Sequence, residues 1–142
     1  YESLNSGDFV LIGFDLAKHP QTILDAYNDK AGVTRAFNLN VLKRFNDELG
    51  ADFNLGNFDH FPAYNPLEKS AKSYIVSLKK QTVNFKLADV RIDFKQNEPI
   101  KVEISQKYSL EDIEAFAKES GFEVAKHFFD CKHYFVDTLL KK

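Results

Sequence analysis

Phe9-Val10-Leu11-Ile12-Gly13-Phe14-Asp15-Leu16 is a nearly unbroken apolar run, introduced by the turn-like Ser6-Gly7-Asp8. A strand with one wet face alternates apolar and polar residues, whereas a strand covered on both faces does not. The run therefore predicts a strand inside an α/β sheet with parallel neighbours. Asp15 falls at its carboxyl end, where open α/β sheets collect ligands. A helix-cap or loop-cap role for Asp15 is the plainer alternative.

Downstream the period changes. Pro20 can open a short helix through Ile23, Leu24 and Tyr27, and Asn28-Asp29-Lys30-Ala31-Gly32 breaks it. A longer helix is predicted from about Val33 to Leu49. Phe37, Val41, Phe45 and Leu49 repeat at i, i+4 with Leu42 beside them, and Gly50 is a natural stop. Asn38 and Asn40 are mildly unfavourable inside it, so each is either solvated or hydrogen-bonded to an adjoining loop. From Ser73 the period is two. Tyr74–Leu78, Val83–Leu87, Val90–Phe94 and the strand around Glu103 read as an antiparallel meander. Ser109-Leu110-Glu111-Asp112 resembles a capping box and opens a helix that ends at Gly121. Phe122–Phe129 and Tyr134–Leu140 then predict a terminal hairpin across Asp130-Cys131-Lys132-His133.

The totals exclude several functions. At 142 residues and net charge −2 the chain is of one-domain size, with no basic stripe for nucleic acid. No apolar run reaches membrane-spanning length. The lone Cys131 allows no internal disulfide, and the default setting is reducing and cytoplasmic. His19, His60, His127 and His133 lack zinc-site spacing, and the hairpin pair His127 and His133 suits a surface better than a reaction. There is no Gly-x-Ser-x-Gly elbow, no P-loop and no Gly-x-Gly among the six glycines. A chain without methionine is expected to be a piece of a longer protein.

One strand carries chemistry. Ile100, Val102 and Ile104 alternate with Lys101, Glu103 and Ser105. Glu103 and Ser105 are thus expected side by side, away from the core. A carboxylate beside a hydroxyl suits an imidazole, which has one N–H to give and one bare nitrogen. A solvated surface charge is the bland alternative.

Several segments together resemble the histidine-specific, S-adenosylmethionine-dependent methyltransferase family. They are Leu11–Leu16, Ala26-Tyr27-Asn28-Asp29 with Gly32-Val33-Thr34, Phe37–Leu42, Glu48–Phe53, Phe58-Asp59-His60, Val76-Ser77, Gln81-Thr82-Val83 and Glu103–Tyr108. The resemblance covers nearly the whole chain and fits the C-terminal part of such an enzyme. It implies a class I methyltransferase Rossmann core carrying an inserted α+β substrate-recognition domain. Residues 1–17 and 109–142 would be the C-terminal part of that core, and 18–108 the insert. The glycine-rich cofactor turn would lie upstream, so S-adenosylmethionine is expected to serve the parent enzyme and not to bind this chain alone.

Four positions carry over by resemblance. Tyr27 matches the tyrosine that holds the substrate's polar end, with packing on Ile23 as its plainer alternative. Glu103 and Ser105 match the pair that grips the substrate imidazole. Ser73 falls where the family places a methionine against the substrate ring, a departure that bears on the exact substrate, histidine or similar. The implied function is amino-acid N-methylation by positioning, with no residue here assigned as catalytic. A non-catalytic amino-acid-binding or interaction module on the same scaffold is the other class. A core strand stripped of its upstream neighbours is further expected to self-associate, as a two-fold dimer through Phe9–Leu16 or its neighbours.

Overall fold

The structure, a computed structural model, describes residues 3–142. Tyr1 and Glu2, with which the first expected core segment opens, lie outside the described residues. In chain order the elements are β1 (Phe9–Asp15), α1 (Pro20–Tyr27), α2 (Val33–Leu49), a 3-10 turn (Leu55–Asn57), β2 (Phe58–Asn65), β3 (Ser70–Ser77), β4 (Gln81–Phe85), β5 (Val90–Phe94), β6 (Pro99–Gln106), α3 (Leu110–Glu119), β7 (Glu123–Phe129) and β8 (Phe135–Lys141). They divide into two units. The first comprises the chain up to His19, Pro66–Ser70 and Gln106–Lys142; the second comprises Pro20–Asn65 and Ala71–Ser105.

In the first unit the sheet order is β1-β8-β7. The terminal hairpin forms as the sequence predicts, with β7 antiparallel to β8 and a register shift between Val124 and Lys126. The parallel neighbours expected for β1 are not found among the described residues. Instead β1 pairs antiparallel with β8, from Phe9↔Lys141 to Asp15↔Phe135. Only one of its faces is covered. Phe14 and Leu16 pack with Ile113 of α3 and Val136 of β8, whereas Phe9 and Leu11 are 54% and 60% exposed. The other edge of β1 is unpaired among the described residues, apart from an isolated parallel bridge just past its end, Leu16↔Tyr108. Gly13 is a packing requirement, since a Cβ there would lie 2.6 Å from the Phe135 ring. The predicted capping box opens α3: the Ser109 hydroxyl accepts from the Asp112 N–H at 3.2 Å, and Asp112 accepts from the Ser109 N–H at 2.7 Å.

At the end of β1, Asp15 is neither a helix cap nor a loop cap. Its two carboxylate oxygens take the Nζ atoms of Lys18 at 2.5 Å and Lys107 at 2.6 Å. Tyr108 closes the same corner, its N–H donating to the Asp15 carbonyl at 3.0 Å while its own carbonyl accepts from Ala17 N–H at 2.8 Å.

The second unit is built around an aromatic and aliphatic core. Leu39, Leu42, Phe53, Phe58, Ile75, Val83 and Phe94 are buried together. Phe53, Phe58 and Phe94 meet at centroid distances of 5.4–6.2 Å, two of the three contacts edge to face. The predicted meander is not continuous. Its second and third strands, β4 and β5, form a separate two-stranded hairpin. Strand β3 lies instead between β6 and β2. Strand β2 was not foreseen, because Phe58-Asp59-His60-Phe61-Pro62 carries a proline and two charged or titratable residues and shows no clean alternation.

Helix α2 spans the predicted residues and ends on Gly50 in the left-handed region, whose N–H bonds the Phe45 carbonyl. Of the expected face, Leu42 is buried and Val41 and Phe45 pack against the core, while both ends of the stripe, Phe37 and Leu49, lie outside it. Asn38, Leu39 and Leu42 are buried, whereas Phe37 is 74% exposed. The start of α2 is held from outside the helix. Asp29 accepts from the Val33 and Thr34 N–H groups, both at 2.8 Å. Those hydrogen bonds hold the Asp29 carboxyl down at about 2, against its ordinary 3.8. A depressed folded value stabilises the fold above pH 3.8, and the contribution is lost as pH falls towards 2. Substituting Asp29→Ala should therefore lower the melting temperature at pH 6, and the difference from wild type should shrink as pH approaches 2. An equal difference at both pH values would mean that the capping carboxylate is not the source.

Candidate functional site

Strand β6 does not keep one face to the core along its length. Ile100 and Val102 are half-buried on the apolar side, as expected. At the next residue the pattern changes phase: Glu103 and Ser105 are half-buried and Ile104 is 55% exposed. The expectation that Glu103 and Ser105 face away from the core is thus corrected. At Glu103 and Ser105 the polar residues are the partly covered ones, and Gln106 is exposed again.

What covers Glu103 is β3. Ser73 is fully buried, and its hydroxyl donates to Glu103 Oε2 at 3.4 Å. Two of the four predicted site residues are thereby brought together across neighbouring strands. Ser105 stands two residues further along the same strand, and Tyr27 is half-buried at the last turn of α1.

Beside Glu103 lies a cleft of about 380 Å³ lined by Phe37, Asn38, Asn40, Val41, Arg44, Val102 and Glu103. One wall is thus the exposed side of α2 and the other is the phase-change point of β6. Arg44 does not oppose Glu103 as a free cation, because its guanidinium is engaged by Glu48 at 2.9 and 3.1 Å. Asn38 was noticed in the sequence only as an awkward helix residue. In the structure it is 5% exposed, and its Nδ2 donates to the Thr34 carbonyl at 3.0 Å and lies 3.4 Å from His60 Nε2. His60, to which sequence reasoning gave no role, stands on β2. Burial pushes its imidazole below the usual 6.5, against the pull of Asp59. The one available signal is the poor helix propensity of Asn38, and His60 offers none.

The connection from β1 to α1, Leu16-Ala17-Lys18-His19, contains no glycine. Gly32 and Gly50 take positive φ at the two ends of α2, and Gly13 is filled by Phe135. Among the described residues no cluster of three metal-ligating side chains occurs, and no helix is long and apolar enough to cross a membrane.

A family model described as histidine-specific methyltransferase, SAM-dependent, matches residues 1–142. The chain belongs to this family. It is 38% identical over 120 residues to a histidine N-alpha-methyltransferase of Mycolicibacterium smegmatis, covering 84% of this chain and 37% of that protein. The corresponding Mycobacterium tuberculosis enzyme is 33% identical over 118 residues, covering 83% of this chain and 37% of that protein. Ergothioneine biosynthesis protein 1 of Neurospora crassa is 28% identical over 141 residues, 97% of this chain and 15% of that protein. The chain therefore spans about 37% of the length of the first two relatives it matches. Its own sheets are antiparallel where their pairing is defined, within a mixed α/β arrangement.

Proposed function

We propose that this chain is the substrate-recognising, C-terminal part of an S-adenosylmethionine-dependent amino-acid N-methyltransferase acting on histidine or a similar compound. The observation that carries the reading is the Ser73–Glu103 pair beside a cleft, in a chain of a histidine-specific methyltransferase family. On this reading the Rossmann-core part is 1–17 with 109–142, and 18–108 is the inserted recognition domain. The donor supplies the methyl group, and its cradle belongs to a part of the protein outside these residues. Methyl transfer to an amine needs little beyond alignment, so recognition is where this chain contributes. Glu103 accepts an N–H from the substrate ring, Ser105 adds a hydroxyl, and Tyr27 orients the end that carries the amine. Ser73 already donates a hydrogen bond to Glu103, which orients that carboxylate, and its short side chain offers less than a methionine would to pack the ring.

One assay with two arms tests this. The full-length protein should methylate an amino acid from S-adenosylmethionine, whereas this chain alone should show no saturable cofactor heat in calorimetry. With serine at position 73, free histidine should be a poorer substrate than some other amino acid or a larger imidazole compound. Failure of the full-length protein to methylate any amino acid would overturn the reading; a clear preference for histidine would overturn the consequence drawn from Ser73.

The isolated chain is further proposed to self-associate through β1. Phe9 and Leu11 present an apolar face beside an edge that β8 does not occupy. Sedimentation at micromolar concentration should return a dimer, and a stable monomer would sink the idea.

A further inference from the structure

We propose that Asn38 is a second hydrogen-bond acceptor of the substrate cleft, beside Glu103, and that His60 is the positioning residue that aims it. The inference rests on the reading of this cleft as the substrate-ring site. It extends that reading to the chemistry selected there, a planar ring offering two N–H donors.

The orientation of the Asn38 carboxamide follows from its partners. The Thr34 carbonyl can only accept, so the atom 3.0 Å from it must be the amide nitrogen. That same nitrogen lies 3.4 Å from His60 Nε2. A donor facing Nε2 makes this the bare ring nitrogen and puts the ring proton on Nδ1. Both N–H bonds of Asn38 are then spent on the protein. Its Oδ1 accepts no hydrogen bond among the described residues and is not sealed from solvent. Asn38 also lines the cleft with Glu103. The cleft thus presents a carboxylate and an amide oxygen, with its one guanidinium held by Glu48.

A neutral imidazole has one N–H and satisfies one of these acceptors. The doubly protonated ring satisfies both, so the cleft favours the cationic ring form. The charged groups acting on His60 are Asp59, Arg35, Glu103 and Asp29, and its burial keeps it neutral and able to accept. Charging His60 would replace that acceptor with a donor and turn the amide about, bringing an N–H where the substrate needs an oxygen.

The test uses the full-length protein with His60→Phe, which keeps a ring but removes the acceptor, and His60→Gln, whose amide oxygen can accept from Asn38. Affinity is measured by calorimetry for histidine and for the two ring-N-methylated histidines, each of which has lost one N–H. Wild type should prefer histidine over both. In His60→Phe the preference over one of them should fall about tenfold, the scale of one lost hydrogen bond, with cofactor affinity unchanged. His60→Gln should restore it. An unchanged preference in His60→Phe, with wild type still binding histidine, overturns the inference alone. A wild type that binds neither histidine nor its ring-methylated forms overturns the inference together with the reading of this cleft as an imidazole site, while methylation of another amino acid by the full-length protein would leave the methyltransferase reading standing. Nitrogen-15 spectroscopy gives an independent check that needs no ligand: the His60 ring should carry its proton on Nδ1, and a proton on Nε2 would refute the arrangement.

Discussion

Substituting Asp15→Ala should destabilise the protein by about 3 kcal/mol, roughly a hundredfold in the folding equilibrium. The reason is Lys107. Its side chain is 1% exposed and its ammonium sits 2.6 Å from Asp15 Oδ2. Taking the carboxylate away removes the counter-charge that lies 2.6 Å from this buried ammonium and helps to offset its desolvation. The figure is at the low end for a buried pair because the Asp15 side chain is 37% exposed, so water already screens part of the attraction. Lys18 on the other carboxylate oxygen is nearer the surface and loses less. A double change, Asp15→Leu with Lys107→Met, should recover most of the loss, because apolar groups of similar volume need no counter-charge. Thermal unfolding of the two variants beside wild type decides the matter: a double variant as unstable as the single would mean that the pair has a role beyond charge compensation. The pH dependence has a defined sign. Burial alone would raise the Asp15 carboxyl, but hydrogen bonds and charge from Lys107 and Lys18 hold it below its ordinary 3.8. The stabilisation is therefore complete above that value and is lost as pH falls through the lower folded value.

In the full-length protein, Glu103→Ala should weaken the amino-acid substrate about ten- to a hundredfold and leave cofactor affinity nearly unchanged. A charge-assisted hydrogen bond is worth about 1.5–3 kcal/mol, which is that range. The asymmetry between the two ligands is the informative part. Glu103 borders the cleft, and its contact inside the fold is one long bond, 3.4 Å from Ser73. Removing it should cost little stability while leaving the Ser73 hydroxyl, fully buried, to find another acceptor. Glu103→Gln separates charge from shape: it keeps an acceptor oxygen, so it should fall between wild type and alanine. Calorimetric titration of both ligands into each variant tests this. Equal losses for substrate and cofactor would assign Glu103 to the scaffold.

Short-range signals in the sequence proved readable, and long-range pairing did not. Pro20, Gly50 and the Ser109–Asp112 box mark helix ends by local backbone chemistry, and all three helices stand where those residues put them. Which strand lies beside which is set by contacts between distant residues. Hence β1 has an antiparallel neighbour, and β3 runs between β2 and β6 while β4 and β5 pair with each other. The site divides along the same line. Alternation picked out Glu103, and the family likeness picked out Ser73; the structure adds that they touch. Asn38 and His60 gave no pattern, because a polar residue inside a helix and a histidine beside a proline-bearing stretch look like noise until their distance is known. The departure at the start of α2, where Phe37 is exposed and Asn38 buried, has a related cause. Apolar spacing alone cannot distinguish a face that meets the core from one that borders a cleft.

The phase change of β6 between Val102 and Glu103 separates two kinds of genetic constraint at one peptide bond. Before it, Ile100 and Val102 pack against the hydrophobic centre of their unit, so substitutions there should register as misfolding and low abundance. After it, Glu103 and Ser105 can vary in chemistry while Ile104 stays outside, so substitutions should register as altered ligand preference in protein that still accumulates. On the proposed reading, a change at residue 103, which lines the cleft, retunes what the cleft accepts without first requiring compensating changes in the core. In a saturation library of this strand, the profiles of protein abundance and of substrate choice should part company between residues 102 and 103.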